Sequence, residues 1–365
     1  MNVYQQIRNA EEEIDTAFST NGLKEVGYAQ AVWTLLSVAE DHDLKIREIN
    51  PLPEYQLDAY VDGLLNWLSY PLRVCFKMAN RGNKKLIKEL NDEHYQLAQD
   101  WIKKAKDYNH FCALFPLWYR KKIDISIVEN QLLVDLSSIN LEYEAYNRLV
   151  RKSGYGINMR IDPNQVVDEI VRNTTFEDDR FNVNFNPKLV SRLIVLCNET
   201  FSVRYSLPGN WQFSGFNLSQ FKSIYISIQA LLLAWRIARL IAARKDMQSL
   251  GYSSSVWVVQ KEELVNRISS YSEQPPNIVK SIFELLTFGN VGIREPDIAV
   301  QPLIDLNNGF YALSPFVWLN VDAERNLCVL LNQINAEKEI YSKLVKDKES
   351  IQRNELENFF SFTRF

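Results

Sequence analysis

The sequence predicts a mainly α fold: a multi-helix assembly with a C-terminal winged-helix-like unit of two helices plus a β-hairpin, and small additional hairpins elsewhere. Three observations carry this reading. Apolar residues recur at helical spacing, as in Leu57, Tyr60, Val61, Leu64, Leu65 and Leu68, which share one stripe of a 3.6-residue period. The stretch from Ile224 to Ala243 is almost continuously apolar. Between Val258 and Leu331, signals for helix, turn, helix and hairpin follow one another, the order of a winged-helix unit.

Asn2 to Phe18 is predicted as an amphipathic helix with an acidic side of Glu11, Glu12, Glu13 and Asp15, ending near Asn21-Gly22. Gly27 to Glu40 and Leu57 to Leu68 are predicted core helices, and Asn50-Pro51-Leu52-Pro53 between them is a rigid turn. Ile123 to Leu136 alternates weakly and reads either as a strand pair or as a helix. Ser153-Gly154-Tyr155-Gly156 marks a domain joint. Asp162-Pro163 supplies a cap and first turn for a helix to Arg172, and Asn186-Pro187 does the same for a helix to Asn198. Thr174 to Asn184 reads as a polar loop in which Glu177, Asp178 and Asp179 are adjacent. The glycine and spacing of a calcium loop are missing there, so a solvated acidic loop is expected. Phe201 to Ser206 and Trp211 to Phe216 flank Pro208-Gly209-Asn210 as a small hairpin.

The run from Ile224 to Ala243 has about the length of a membrane span but carries Gln229, Arg236 and Arg239. A charged residue near mid-span costs about 2.5 to 3.5 kcal/mol on insertion, which predicts a central helix, about Ser219 to Arg244, buried inside a soluble protein with no membrane partner. Lys261 to Ser270 and Pro276 to Phe288 are the two helices of the winged-helix-like unit, parted by Pro275-Pro276 and stopped at Phe288-Gly289. Ile298 to Ser314 is predicted as its hairpin, turning at Asn307-Asn308-Gly309. Asp322 caps a long final helix to about Phe360, followed by an apolar end of Phe359, Phe360, Phe362 and Phe365 that suits a continuing chain or another protein. These readings divide the chain into a helical domain 1–152, a helical domain 153–254, the winged-helix-like unit 255–320 and a C-terminal helix 321–365.

At 46% hydrophobic and 12% aromatic residues the chain is an ordered globular protein, and its net charge of −4 sets up no global field for nucleic acid or membrane. Charge is uneven, however. From Arg73 to Lys122 twelve bases stand against five acids, a local balance of +7. Lys84, Lys85, Lys88, Lys103, Lys104 and Lys106, with Arg120, Lys121 and Lys122, are the candidate nucleic-acid-binding residues. Trp101, Tyr108, Phe111, Phe115, Trp118 and Tyr119 are interleaved with them and would stack bases beside a phosphate-tracking surface. The competing reading, which the interspersed acids favour, makes these lysines the solvated faces of helices whose aromatics point inward.

Catalytic chemistry has little to stand on. Cys75, Cys112, Cys197 and Cys328 lie far apart in apolar contexts, the pattern of buried free thiols in a reducing cytoplasm. The histidines are His42, His94 and His110, without zinc-site spacing. Neither a phosphate-cradling glycine motif nor a nucleophile elbow is present. Asp297 and Asp305 offer carboxylates of the kind a metal-dependent nuclease uses, yet no acid-x-lysine follows them, so lysine-assisted activation of water has no residue to perform it. No catalytic residue, metal or cofactor is expected.

Pro296-Asp297-Ile298-Ala299-Val300-Gln301-Pro302-Leu303-Ile304, Ala323-Glu324-Arg325-Asn326-Leu327, Leu330-Leu331-Asn332 and Glu339-Ile340-Tyr341-Ser342-Lys343-Leu344-Val345 together resemble the region immediately upstream of the nuclease-like domain in some large, poorly characterised bacterial proteins. The resemblance implies a following domain of restriction-endonuclease-like fold that holds the metal-binding carboxylates and lysine. None of those residues maps onto this chain. The resulting expectation is a non-catalytic interaction or regulatory scaffold with a protein partner or effector domain; the alternative is a DNA- or RNA-binding module that uses the basic region. Within Ser255 to Asn320 four bases face seven acids, a balance of −3, which favours protein over nucleic acid for that unit.

Overall fold

Val3 opens helix α1 (Val3–Thr20), which turns Ile14 and Phe18 inward. The computed structural model of the chain describes residues 3–20, 22–50, 54–78, 86–119, 124–128, 131–135, 162–177, 180–201, 212–213, 215–245, 255–290, 295–321 and 323–333, with positions 346, 350 and 353. These fall into two units, Met1–Ser153 and Gly154–Phe365. The fold is mainly helical with small antiparallel sheets.

In the first unit, Gly27 at φ 92° leads into helix α2 (Tyr28–Leu44), which is buried along nearly its whole length. Helix α3 (Glu54–Met78) extends well beyond the predicted Leu68 and runs through Pro71, burying Val61, Leu64, Leu65, Leu68, Leu72 and Cys75. Helix α4 (Asp92–Tyr119) buries Tyr95, Ala98, Trp101, Ile102 and Ala105, a stripe at three- and four-residue spacing. Lys106 sits over Trp67 and Tyr108 meets the edge of Tyr70, so these contacts advance together along α3 and α4 and the two helices run parallel there. The segment left open by its weak alternation is a strand pair, β1 (Asp124–Val128) against β2 (Gln131–Asp135).

The second unit opens on helix α5 (Pro163–Arg172), capped as predicted by Asp162, whose carboxylate accepts from Asn164 N at 2.9 Å. The expected polar loop is instead a hairpin, β3 (Thr174–Glu177) against β4 (Arg180–Val183). Its Thr174 and Val183 are buried opposite one another, and Phe176 faces Phe181, so a two-residue alternation lay beneath the acidic run. Glu177 ends β3; Asp178 and Asp179 lie outside the described residues. Helix α6 (Pro187–Phe201) is capped by Asn186 Oδ1, which accepts from Leu189 N at 3.0 Å. Helix α6 runs through Phe201, where the sequence predicts a strand to begin, and strands β5 (Gln212–Phe213) and β6 (Phe216–Asn217) pair with each other, with Gly215 at φ 84° between them. That left-handed angle suits glycine. Residues 202–210, which hold the rest of the predicted first strand and turn, lie outside the described residues.

Helix α7 (Leu218–Lys245) is the axis of this unit. Leu231 and Leu232 are fully buried, and α7 packs against α5 and α6 as well as the helices that follow it. By length and composition it could cross a membrane, but 72% of its apolar window is buried against its neighbours. Strand β7 (Trp257–Gln260), helix α8 (Lys261–Ser272), helix α9 (Pro276–Leu286), strand β8 (Leu303–Asp305) and strand β9 (Phe310–Leu313) come next. The three strands form an antiparallel sheet in the order β7-β9-β8. Ile298 to Val300, predicted as strand, forms a turn held by Val300 N and Gln301 N on the Asp297 carbonyl. Short helix α10 (Pro315–Trp318) and helix α11 (Ala323–Gln333) close the described part. One apolar core runs from Val166 in α5 to Leu331 in α11. The predicted cap Asp322 and the phenylalanine-rich end lie outside the described residues.

Candidate functional site

The stripe that α4 buries dictates what it exposes. Lys103 and Lys106 are exposed and Lys104 is half-buried, so three candidate basic residues share this helix, flanked by exposed Asp100 and Asp107. Lys88 is exposed just before the helix, where partial desolvation lowers its pKa. Lys84, Lys85, Arg120, Lys121 and Lys122 lie outside the described residues. Of the aromatics near these bases, Trp101 is fully buried, 5.0 Å from Phe18, whereas Tyr119 at the end of α4 is exposed. Lys106 covers Trp67 at 5.1 Å and Arg73 covers Tyr70 at 5.2 Å, so two cations of the basic segment lie on rings.

A polar seam escapes the sequence reading. It begins where α2 passes from its apolar run into Glu40-Asp41-His42-Asp43, all but His42 buried. Tyr95 of α4 donates its hydroxyl proton to Asp41 Oδ2. Lys45 Nζ donates to the same oxygen at 2.7 Å and to Tyr95 Oη at 3.2 Å. Burial and the bond to Asp41 push Tyr95 up to about 12. Burial opposes the charge of Lys45, and the bonds to Asp41 and Tyr95 outweigh it, leaving its pKa raised. Asp43, fully buried, pairs with Arg47 at 2.7 Å. Half-buried His42 lies 3.4 Å from Tyr60 Oη of α3 and 3.3 Å from Gln99 Nε2 of α4. The available signal was four polar residues ending a buried apolar helix, but two of their partners, Tyr95 and Gln99, lie more than 50 residues away in α4.

In the second unit the two suspected carboxylates have local duties. Asp297 Oδ1 accepts from Ala299 N at 2.9 Å, a turn-forming bond. Asp305 Oδ2 takes Lys261 Nζ at 2.5 Å and its Oδ1 takes Asn307 N at 2.8 Å. A cleft of about 540 Å³ between α5 and α6 sets Arg172, Lys188 and Arg192 beside Asp168 and Glu169. Arg192 and Glu169 are already paired at 2.7 Å, so the cleft offers charge of both signs. Cys75 and Cys197 are buried free thiols, and burial pushes both pKa values up, which makes them poor nucleophiles. The side chains of Cys112 and Cys328 lie outside the described residues. Among the described residues, no group of three His, Cys, Asp or Glu side chains is placed to hold a metal ion. No protein-family model, no curated protein and no solved structure matches this chain.

Proposed function

We propose that the chain is a non-catalytic helical interaction scaffold, the targeting half of a bacterial nuclease or defence-type system. In this reading β7, α8, α9, β8 and β9, with strand order β7-β9-β8, make a winged-helix-like unit that seats a protein partner or effector domain. The observation that carries it is the outward face of α9, the helix that would enter a DNA groove in such a unit. Asn277, Lys280 and Glu284 are exposed there, one base cancelled by one acid. Lys261, at the start of α8, is held by Asp305. A face that binds DNA collects phosphate-neutralising cations, and this one does not.

Retention on heparin and on duplex and single-stranded DNA across a salt gradient tests the reading, with Lys280→Glu expected to change nothing. Loss of DNA binding in Lys280→Glu alone would sink it. Incubation of the same DNAs with magnesium or manganese is expected to give no cleavage, since Asp297 and Asp305 serve local bonds; cleavage that vanishes in Asp297→Ala would show a catalytic site. The second reading, nucleic-acid binding through residues 73–122, is favoured by the exposure of Lys88, Lys103 and Lys106. It requires that changing Lys84, Lys85 and Lys88 to Glu weaken binding and flatten its salt dependence.

A further inference from the structure

We infer that His42 is a proton-operated latch joining α2 to α3 and α4, so that α4 loosens from α2 as the pH falls below neutrality. The geometry sets the working state. The Gln99 amide nitrogen, 3.3 Å from His42 Nε2, can only donate, so Nε2 accepts and the ring's single proton sits on Nδ1. From there it is donated to Tyr60 Oη at 3.4 Å. The neutral ring therefore ties three helices with one acceptor and one donor. A second proton, on Nε2, meets the two hydrogens of the Gln99 amide, and the contact to α4 has to break or rearrange.

The charges around the ring do not welcome that proton. From α2, Asp41 favours it, but Lys45 and Tyr95 already engage the Asp41 carboxylate. Lys45, just beyond α2, and Lys106 of α4 both oppose it, and among the described residues α3 sets Tyr60 against the ring, its own pKa raised by burial. Asp43 is paired with Arg47. Burial, with the two lysines, outweighs Asp41 and holds the His42 pKa below its ordinary 6.5. The half-buried ring nonetheless stays within reach of solvent protons.

The sign follows from linkage. A histidine whose folded pKa is depressed takes up its proton more readily in the opened state, so the closed state is favoured at neutral pH and loses ground as the pH falls through 6.5 towards the folded value. The test uses the full 365-residue chain, with histidine-labelled NMR titration assigned through His42→Gln, and amide-exchange protection of α4 measured over the same pH range. Expected is a His42 midpoint below that of a free histidine, with α4 protection falling alongside it by at most about tenfold per pH unit, the limit for uptake of one proton. His42→Gln should abolish that fall, while Lys106→Gln and Gln99→Glu should each move both midpoints upward. Should His42→Gln fail to fold, those two variants decide the matter. A pH-dependent loss in α4 that persists in His42→Gln, midpoints unmoved by both other variants, or α4 protection that ignores the His42 titration would overturn the latch.

Discussion

In Met1–Ser153 the most buried helix, α2, ends in acids and a histidine tied to lysine, tyrosine and glutamine, whereas the centre of α7 in Gly154–Phe365 is apolar but for Ser227 and Gln229. Gln229 donates to the carbonyls of Trp318 and Val321 at 2.8 and 3.0 Å, and Ser227 caps a carbonyl of its own helix. None of these three bonds involves a group that titrates near neutrality. The first unit is thus held in part by bonds whose strength depends on protonation near neutrality, the centre of α7 by packing and uncharged bonds, while charge enters that helix away from its centre, at buried Arg239 and in the Lys222–Glu324 pair at 2.7 Å. A helix can be equally inaccessible in both cases and still answer to different variables, proton concentration in one and side-chain volume or polarity in the other.

The largest expected effect breaks the packed side of this contrast. Leu232→Asp puts an unpaired charge at a fully buried site of α7, a change that costs several kcal/mol; amide protection across residues 163–331 should collapse. Retained protection there would mean that α7 is not the axis of the unit. A smaller effect is expected from Tyr95→Phe, which deprives the buried Asp41 of its hydroxyl donor and should lower stability by about 1 to 3 kcal/mol. The same variant sharpens the protonation side. Tyr95 is raised from 10.0 to about 12 in the folded chain, so its contribution is complete below pH 10 and is lost as the pH climbs from there towards the folded value. Wild type should therefore weaken in the first unit on that alkaline limb, and Tyr95→Phe should weaken less, as read by α4 protection against pH. Smallest of all, Lys103→Glu on the exposed face of α4 should shift stability by no more than about 0.5 kcal/mol in thermal unfolding. A larger loss would show that Lys103 is part of the packing.

Legibility in the sequence followed the range of the interactions. Helix α7, the proline-led caps of α5 and α6 and the paired helices α8 and α9 all announce themselves within a few residues, through apolar period, Asp162, Asn186 and Pro275-Pro276. The β3–β4 hairpin was hidden because three adjacent acids dominate a segment whose Thr174, Phe176, Phe181 and Val183 nevertheless alternate. Strand β7 pairs with β9, 50 or more residues on, so no local pattern could assign it. The polar seam was hidden for the same reason: an aspartate, a histidine and a tyrosine acquire meaning only when α2, α3 and α4 meet. Charge counting found the lysines of α4 but could not tell that Trp101 beside them faces inward.

The end of α2 also bears on the order in which this unit assembles. After Leu44 the chain takes a wider turn, closed by Asn50 N on the Lys45 carbonyl at 2.8 Å, and the cations Lys45 and Arg47 each follow by four residues the acid they neutralise. Both ion pairs are therefore available to the isolated helix, on the fast timescale of helix formation, while the bonds from His42 to Tyr60 and Gln99 need α3 and α4 already docked. The acids of α2 need not wait, uncompensated, for distant chain. Substitutions at Arg47 should accordingly register chiefly in the folding rate, and those at Gln99 in the rate of unfolding.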